Sequence, residues 1–193
     1  MVVLMRILAI SDIHCNCHML EKVLTIIKDY DLIIICGDFD CPRAVDMLAG
    51  HRVLAVSGNM DYFDVIVKLE KFGILIEDNI RRVGEYAFIG IGMGELSLEE
   101  IKHTEKTIII SHYPPYGTKV DIAFTGEHIG SHLVRDIVER LKPLVCLCGH
   151  VHEARGVDNI GETLVLNPGP LSKGYYAILE LPSCRYSLES LNL

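Results

Sequence analysis

The chain has 193 residues, half of them apolar, and a formal net charge of −8. That length suits one domain, read as a single unit over 1–193, with apolar material enough for a core without staples. The acidic balance argues against a nucleic-acid partner, which needs a basic stripe, and against an acidic membrane surface; no apolar run approaches the roughly 20 residues of a membrane span. The opening MVVLMRILAISD has no basic leader or small-residue cleavage site, so it reads as a first strand and not as a signal peptide.

Short apolar runs recur, each followed by a turn of small or polar residues. VLMRILAI (3–10) leads to SDIHCN, DLIIIC (31–36) to GDFD, and RVLAV (52–56) to SGNMD. KTIII (106–110) leads to SHYPP, and LVCLC (144–148) to GHVH. Runs apolar at nearly every position are expected of strands buried on both faces. Between them lie HMLEKVLTIIKDY (18–30), CPRAVDMLAG (41–50) and GSHLVRDIVERLK (130–142), with apolar residues at helical spacing. A further helix begins YFDVIV, with Asp61 as its expected N-cap.

Strand alternating with helix is the pattern of an α/β protein with a parallel core. IRRVGEYAFIGIG predicts a hairpin turning at Gly84-Glu85, ARGVDNIGETLVLNPG one turning near Asn159–Gly161, and GYYAILEL with CRYSLESL a final antiparallel pair. There are seven cysteines, and Cys36, Cys146 and Cys148 fall in strand-like runs. That usage fits a reducing cytoplasm. The pairs Cys15/Cys17 and Cys146/Cys148 lack the C-x₂-C spacing of zinc ribbons.

In such sheets ligands bind at the carboxyl ends of the strands. The polar residues there are Asp12 and His14, then Asp38, Asn59, His112, and His150 with His152. Turns favour single Asp and Asn residues anyway, but a set of only Asp, Asn and His at five exits points to metal. Oxygen and imidazole ligands without thiolate select Mn, Fe, Zn or similar ions. Seven ligands exceed what one catalytic ion with an open position takes, and they suit two ions sharing a carboxylate. Such a pair clamps a displacement at phosphorus and generates hydroxide near neutral pH.

D-x-H (Asp12, His14), GD (Gly37-Asp38), GN (Gly58-Asn59), a lone His112 and G-H-x-H (Gly149 to His152) together resemble the calcineurin-like metallophosphoesterase superfamily. The resemblance runs from 12 to 152, and SHYPPYGTKVD with GHVHEARG and NPGP is similar to its small, uncapped prokaryotic phosphodiesterases. It implies a four-layer αββα sandwich of two mixed sheets flanked by helices. It also implies two divalent ions, manganese first, with nickel, iron or zinc as alternatives. Asp12, His14, Asp38 and His152 would hold one ion. Asp38, Asn59, His112 and His150 would hold the other, with Asp38 bridging and with Asp38, Asn59 and His112 carrying the catalytic role. The implied activity is hydrolysis of a small phosphodiester, for example a cyclic nucleotide, by a metal-activated hydroxide. A phosphomonoesterase and a non-catalytic scaffold of the retromer-subunit type are the alternatives, and a homo-oligomer stays open.

Many members carry His directly after GN; here the position is Met60. Methionine cannot donate a proton, and general acid help is typically worth about 10²–10⁴-fold. His18 and His128 are candidate substitutes or simply exposed helix-end residues. Arg155 meets either a phosphate oxygen or a surface carboxylate. Asp40 and Asn16 read first as loop residues and second as partners of the site, and Tyr113, Pro114 and Pro115 as one of its walls. NPGP (167–170) reads as a rigid turn near the site mouth.

Overall fold

The computed structural model describes residues 4–92 and 106–191; Val3, at the start of the first expected strand, lies outside them. One sheet has the order β11-β10-β1-β2-β3. It comprises β1 (Met5–Ile10), β2 (Leu32–Cys36), β3 (Val53–Val56), β10 (Tyr175–Leu181) and β11 (Arg185–Ser190). The second has the order β4-β5-β6-β7-β9-β8. Its strands are β4 (Asn79–Val83), β5 (Tyr86–Ile91), β6 (Lys106–Ser111), β7 (Val145–Leu147), β8 (Gly156–Ile160) and β9 (Thr163–Asn167). β1-β2-β3 and β5-β6-β7-β9 run parallel, while β10, β11, β4 and β8 add antiparallel pairs.

The all-apolar runs follow from two-sided burial. Along β2, Ile33 and Ile35 join the cluster under helices α1 (Cys17–Ile26), α2 (Pro42–Asp46) and α3 (Phe63–Lys71), while Leu32, Ile34 and Cys36 turn toward the other sheet. There they share a core with Phe88, Ile108, Ile110, Val145 and Leu147. Ile89, Ile109, Cys146 and Val165 pack under Val134, Ile137 and Val138 of α4 (His132–Leu141). The result is helix, sheet, sheet, helix: the four-layer αββα sandwich.

Several boundaries differ from the sequence reading, and α2 stops at Asp46 instead of running to residue 50. α1 ends at Ile26, because Ile27 is extended and Asp31 N–H must reach the Arg6 carbonyl to start β2 beside β1. The β8–β9 hairpin turns at Gly161-Glu162, since Asn159 is paired with Leu164 and Ile160 with Thr163. Gly161 at φ 60° supplies the positive φ that such a two-residue turn needs. The Gly84-Glu85 turn and the β10–β11 pair form as expected. The stretch 74–78 joins the sheets along one side: Ala55 donates to the Ile74 carbonyl and accepts from Ile76 N–H, and Asp78 N–H donates to the Gly90 carbonyl.

Phe88 lies fully buried between the sheets, whereas Phe124 is 88% exposed. Urea denaturation should therefore show Phe88→Ala losing about 3–5 kcal/mol and Phe124→Ala changing stability by less than about 0.5 kcal/mol.

Candidate metal centre

The loops after β1 and β2 are laced together by their backbones. Asp12, His14 and Cys15 donate N–H to the carbonyls of Gly37, Asp38 and Phe39 at 2.9–3.0 Å. Gly149 N–H donates to the His112 carbonyl and Ser172 N–H to that of Asp12, so loops remote in sequence meet at one edge. Asp12, His14, Asp38, Asp40 and His150 all have left-handed backbone, with φ between 48° and 66°. For residues with a Cβ such conformations cost roughly 1–3 kcal/mol each and cluster at functional sites.

Of four candidate ligand groups among the described residues, Cys15 with Cys17 and Cys41 is taken up by the Cys15–Cys41 disulfide, and the other three overlap: Asp12, His14 and His152; Asp12, Asp38 and His112; His14, Asp38 and Asp40. Within each group the atoms lie within 4.8 Å of one another. Asn59 joins through His112, its Oδ1 being 2.9 Å from His112 Nε2. His150 stands beside them, its ring 5.0 Å from that of His112 and its N–H donating to both Asp12 carboxylate oxygens at 3.2–3.3 Å. Its imidazole enters none of the three groups.

The partners define the tautomers. His112 Nδ1 donates to the Cys36 carbonyl at 2.8 Å, and in the neutral imidazole Nε2 then carries the lone pair. That lone pair faces two acceptors, Asn59 Oδ1 and Asp38 Oδ1, the latter at 3.6 Å. His14 Nδ1 likewise donates to Asp40 Oδ2 at 2.9 Å, leaving Nε2 facing His152 Nε2 at 3.0 Å and Asp38 Oδ2 at 4.0 Å. His152 Nε2 is in turn 3.3 Å from Asp12 Oδ1. These oxygen and imidazole atoms converge on one another, and such a donor set fits hard or borderline divalent ions. The residues present therefore fit a metal.

Charge is also opposed inside the cluster. Burial and the neighbouring Asp12 push the Asp38 carboxyl above its ordinary value, against His112 and the Met60 N–H that it accepts. Burial pushes Asp12 up too, but the hydrogen bond with His152 and the charge of His112 outweigh it and leave the group below its ordinary range. Burial, followed by the nearby His112, takes His150 down to about 4, while the bond to Asp12 raises His152.

Asp61 does not cap α3: the N-cap is Tyr62, without a side-chain bond. Its carboxylate accepts N–H from Phe39, Asp40 and Gly58 at 2.7–2.9 Å, so it ties the loop after β2 to the loop after β3. Asp40 holds His14, the kind of carboxylate–imidazole support that orients a ligand. Asn16 caps α1 by accepting from Met19 N–H and donates to the Ser172 carbonyl. Among the described residues Arg155 pairs with no carboxylate. It donates to the Pro168 and Glu189 carbonyls and lies over the Tyr175 ring. His128 Nδ1 donates to buried Asp121 at 2.6 Å, and His18 is exposed on α1. Tyr113 does wall the site, its ring 4.4 Å from that of His150, and the NPGP turn lies beside it through the Ser11–Pro170 bridge. Cys15 is disulfide-bonded to Cys41, which braces the same two loops next to His14 and Asp40, while Cys36, Cys146 and Cys148 are buried free thiols. The sequence reading had no signal for that pairing.

Residues 5–182 match the family model of the calcineurin-like phosphoesterase superfamily domain. The chain belongs to this superfamily. An uncharacterized protein of Methanocaldococcus jannaschii is 32% identical, the match covering 91% of this chain and 93% of that one. Among solved structures, an archaeal phosphodiesterase aligns with TM-score 0.67 at 19% identity over 97% of this chain and 100% of its own. Vacuolar protein sorting 29 of Cryptosporidium parvum aligns with TM-score 0.56 at 16% identity over 97% of each chain. At those identities the structural likenesses speak for the fold alone.

Two measurements probe this calcineurin-like cluster. Asp61→Ala strands three backbone N–H groups and should lose about 1–3 kcal/mol in urea denaturation, with the metal content of the purified protein falling as well. In metal-free protein, the unfolded chain takes up a proton at His150 from 6.5 downward while the folded protein resists until about 4. The stability from neutral His150 is thus complete above 6.5 and lost as pH falls toward 4. The urea midpoint should decline over that window, and His150→Gln should make the decline shallower.

Proposed function

We propose that the protein is a dinuclear metal-dependent phosphodiesterase acting on small phosphodiesters, cyclic nucleotides among them. The observation that carries this reading is the convergence of His112 Nε2 on Asn59 Oδ1 at 2.9 Å and on Asp38 Oδ1 at 3.6 Å, inside a cluster whose ligand groups each hold their atoms within 4.8 Å of one another. Asp12, His14, Asp38 and His152 would hold one ion, and Asp38, Asn59, His112 and His150 the other. The oxygen and imidazole donors suit manganese, iron, nickel or zinc, and manganese is taken first. Bound there, two divalent ions supply Lewis acidity to the phosphoryl group and lower the pKa of water from 15.7 to about 7.

The chain's own residues set the geometry. The Cys36 carbonyl and Asp40 hold the imidazoles of His112 and His14 in the tautomers that present Nε2. Met60 N–H orients Asp38 through Oδ1 at 2.9 Å. The Met60 side chain is 42% exposed and has no proton to give, so nothing at that position assists a poor leaving group. That favours diesters over monoesters of unactivated alcohols.

We take the chain as one catalytic domain over 1–193, working in the cytoplasm. The free thiols of Cys36, Cys146 and Cys148 support that compartment, and the Cys15–Cys41 bridge speaks against it. A second reading, a non-catalytic protein-binding scaffold, has the likeness to vacuolar protein sorting 29 in its favour. It expects a cluster that needs no metal.

Metal analysis of purified protein should find about two ions per chain, as a two-metal site requires; metal-free, fully folded protein would favour the scaffold. The Mn²⁺-loaded protein should turn over bis-p-nitrophenyl phosphate, with Asp38→Ala and His112→Ala abolishing the activity. Inertness toward diesters and monoesters alike under every metal would end the enzyme reading. Met60→His should raise monoester turnover relative to diester turnover, by at most about 10²–10⁴-fold.

A further inference from the structure

Beside the cluster, on the side of Asn59 and His112, lies a cavity of about 330 Å³. One end is closed by these two candidate ligands and by Gly58. The walls are mostly apolar, Ile91, Val134, Leu133 and the Tyr113 ring, with Ser111 and the α4 N-cap Ser131 among them. Ile91 and Val134 are buried, at 6% and 2% exposure, so that wall is anchored in the core under α4, whereas Leu133 is half exposed at 51%. One polar group stands out: Glu77, whose Oε1 accepts from Ser57 N–H at 2.5 Å and from the Ser57 hydroxyl at 2.6 Å.

This arrangement bears on which part of a substrate goes where. A phosphoryl group belongs with cations and imidazoles, not against a sheet wall of Ile and Val. The cavity volume sits at the low end of ligand pockets, about 300–1,000 Å³. That is room for one ring-sized group, far short of a polymer strand. Glu77 adds negative charge, which disfavours a second anionic group in the same space and accepts from a neutral N–H or O–H donor. Continuity with Asn59 and His112 puts any such group one ester bond from the phosphorus.

We infer that this cavity is a subsite for one ester arm of the phosphodiester, and that the arm is an uncharged, apolar or aromatic ring-sized group. The inference rests on the phosphoesterase reading above and specifies its substrate class. A substituted phenyl ester meets the description directly, and a nucleobase only with its ribose spanning the distance to phosphorus; a glycerol, a sugar phosphate or a nucleotide 5′-phosphate does not.

The test uses two inhibitors with the same phosphonate head and different arms, phenylphosphonate and methylphosphonate. Both are measured against bis-p-nitrophenyl phosphate turnover and by calorimetry on Mn²⁺-loaded protein. Burial of the ring's apolar surface should make phenylphosphonate about tenfold or more the tighter ligand. Leu133→Asn, at the half-exposed rim, should remove most of that preference and leave methylphosphonate binding unchanged. Val134→Thr, equal in volume but polar, should weaken it in the same direction should Leu133→Asn fold poorly. Equal binding of the two phosphonates to an enzyme that does hydrolyse the diester overturns the subsite and leaves the phosphoesterase reading standing. So does a preference untouched in both variants. Protein that hydrolyses no ester with any metal overturns both.

Discussion

Asp38 occupies space that exists only because residue 58 has no side chain: a Cβ on Gly58 would overlap the Asp38 carboxylate and backbone nitrogen. The rest of the cluster depends on that close approach. It brings the loop after β3 against the loop after β2 and places Asn59 and Met60 on either side of the one carboxylate shared by both halves of the proposed centre. Gly149 repeats the device on the opposite side, where a Cβ would run into Ser11 and Asp12. The sandwich supplies rigid parallel strand ends, but these two bare positions let five loops close to metal-binding distance.

Such closeness has an electrostatic consequence. Two buried carboxylates, Asp12 and Asp38, stand among four imidazoles. Asp38 is pushed toward its neutral form and His150 toward its neutral form as well. Asp12 and His152 are held toward their charged forms at the same time, so the cluster in isolation carries opposed preferences, and a divalent ion among the donors makes ionised carboxylates and neutral imidazoles favourable together. The left-handed backbone at Asp12, His14, Asp38 and His150 adds strain at the same place.

Much of this was legible in the amino-acid sequence because the signals are local. Leu32–Cys36, apolar at every position, announced two-sided burial, and the alternation of its residues between two cores bears that out. Asp, Asn and His right after five apolar runs announced strand-end residues. What was not legible depends on distant partners. Asp61 precedes a helix, and nothing nearby says that its oxygens are taken by the N–H groups of Phe39, Asp40 and Gly58. Arg155 follows a histidine pair, yet its donors go to carbonyls in two other segments. Cys15 has Cys17 as its sequence neighbour and Cys41 as its bonded one. The β8–β9 turn moved because strand pairing, and not the nearest Asn, decided which residues sit opposite.

The crossing segment at residues 74–78 has a consequence for how copies of the molecule can meet. β3 ends its sheet, and a terminal strand so rich in valine and leucine invites another chain to add to it. Here Ala55 already spends its amide hydrogen and carbonyl on Ile74 and Ile76 of the same chain. Strand addition at that point would have to displace an intramolecular ribbon first, so the border is guarded by the molecule's own backbone against fibre-like stacking.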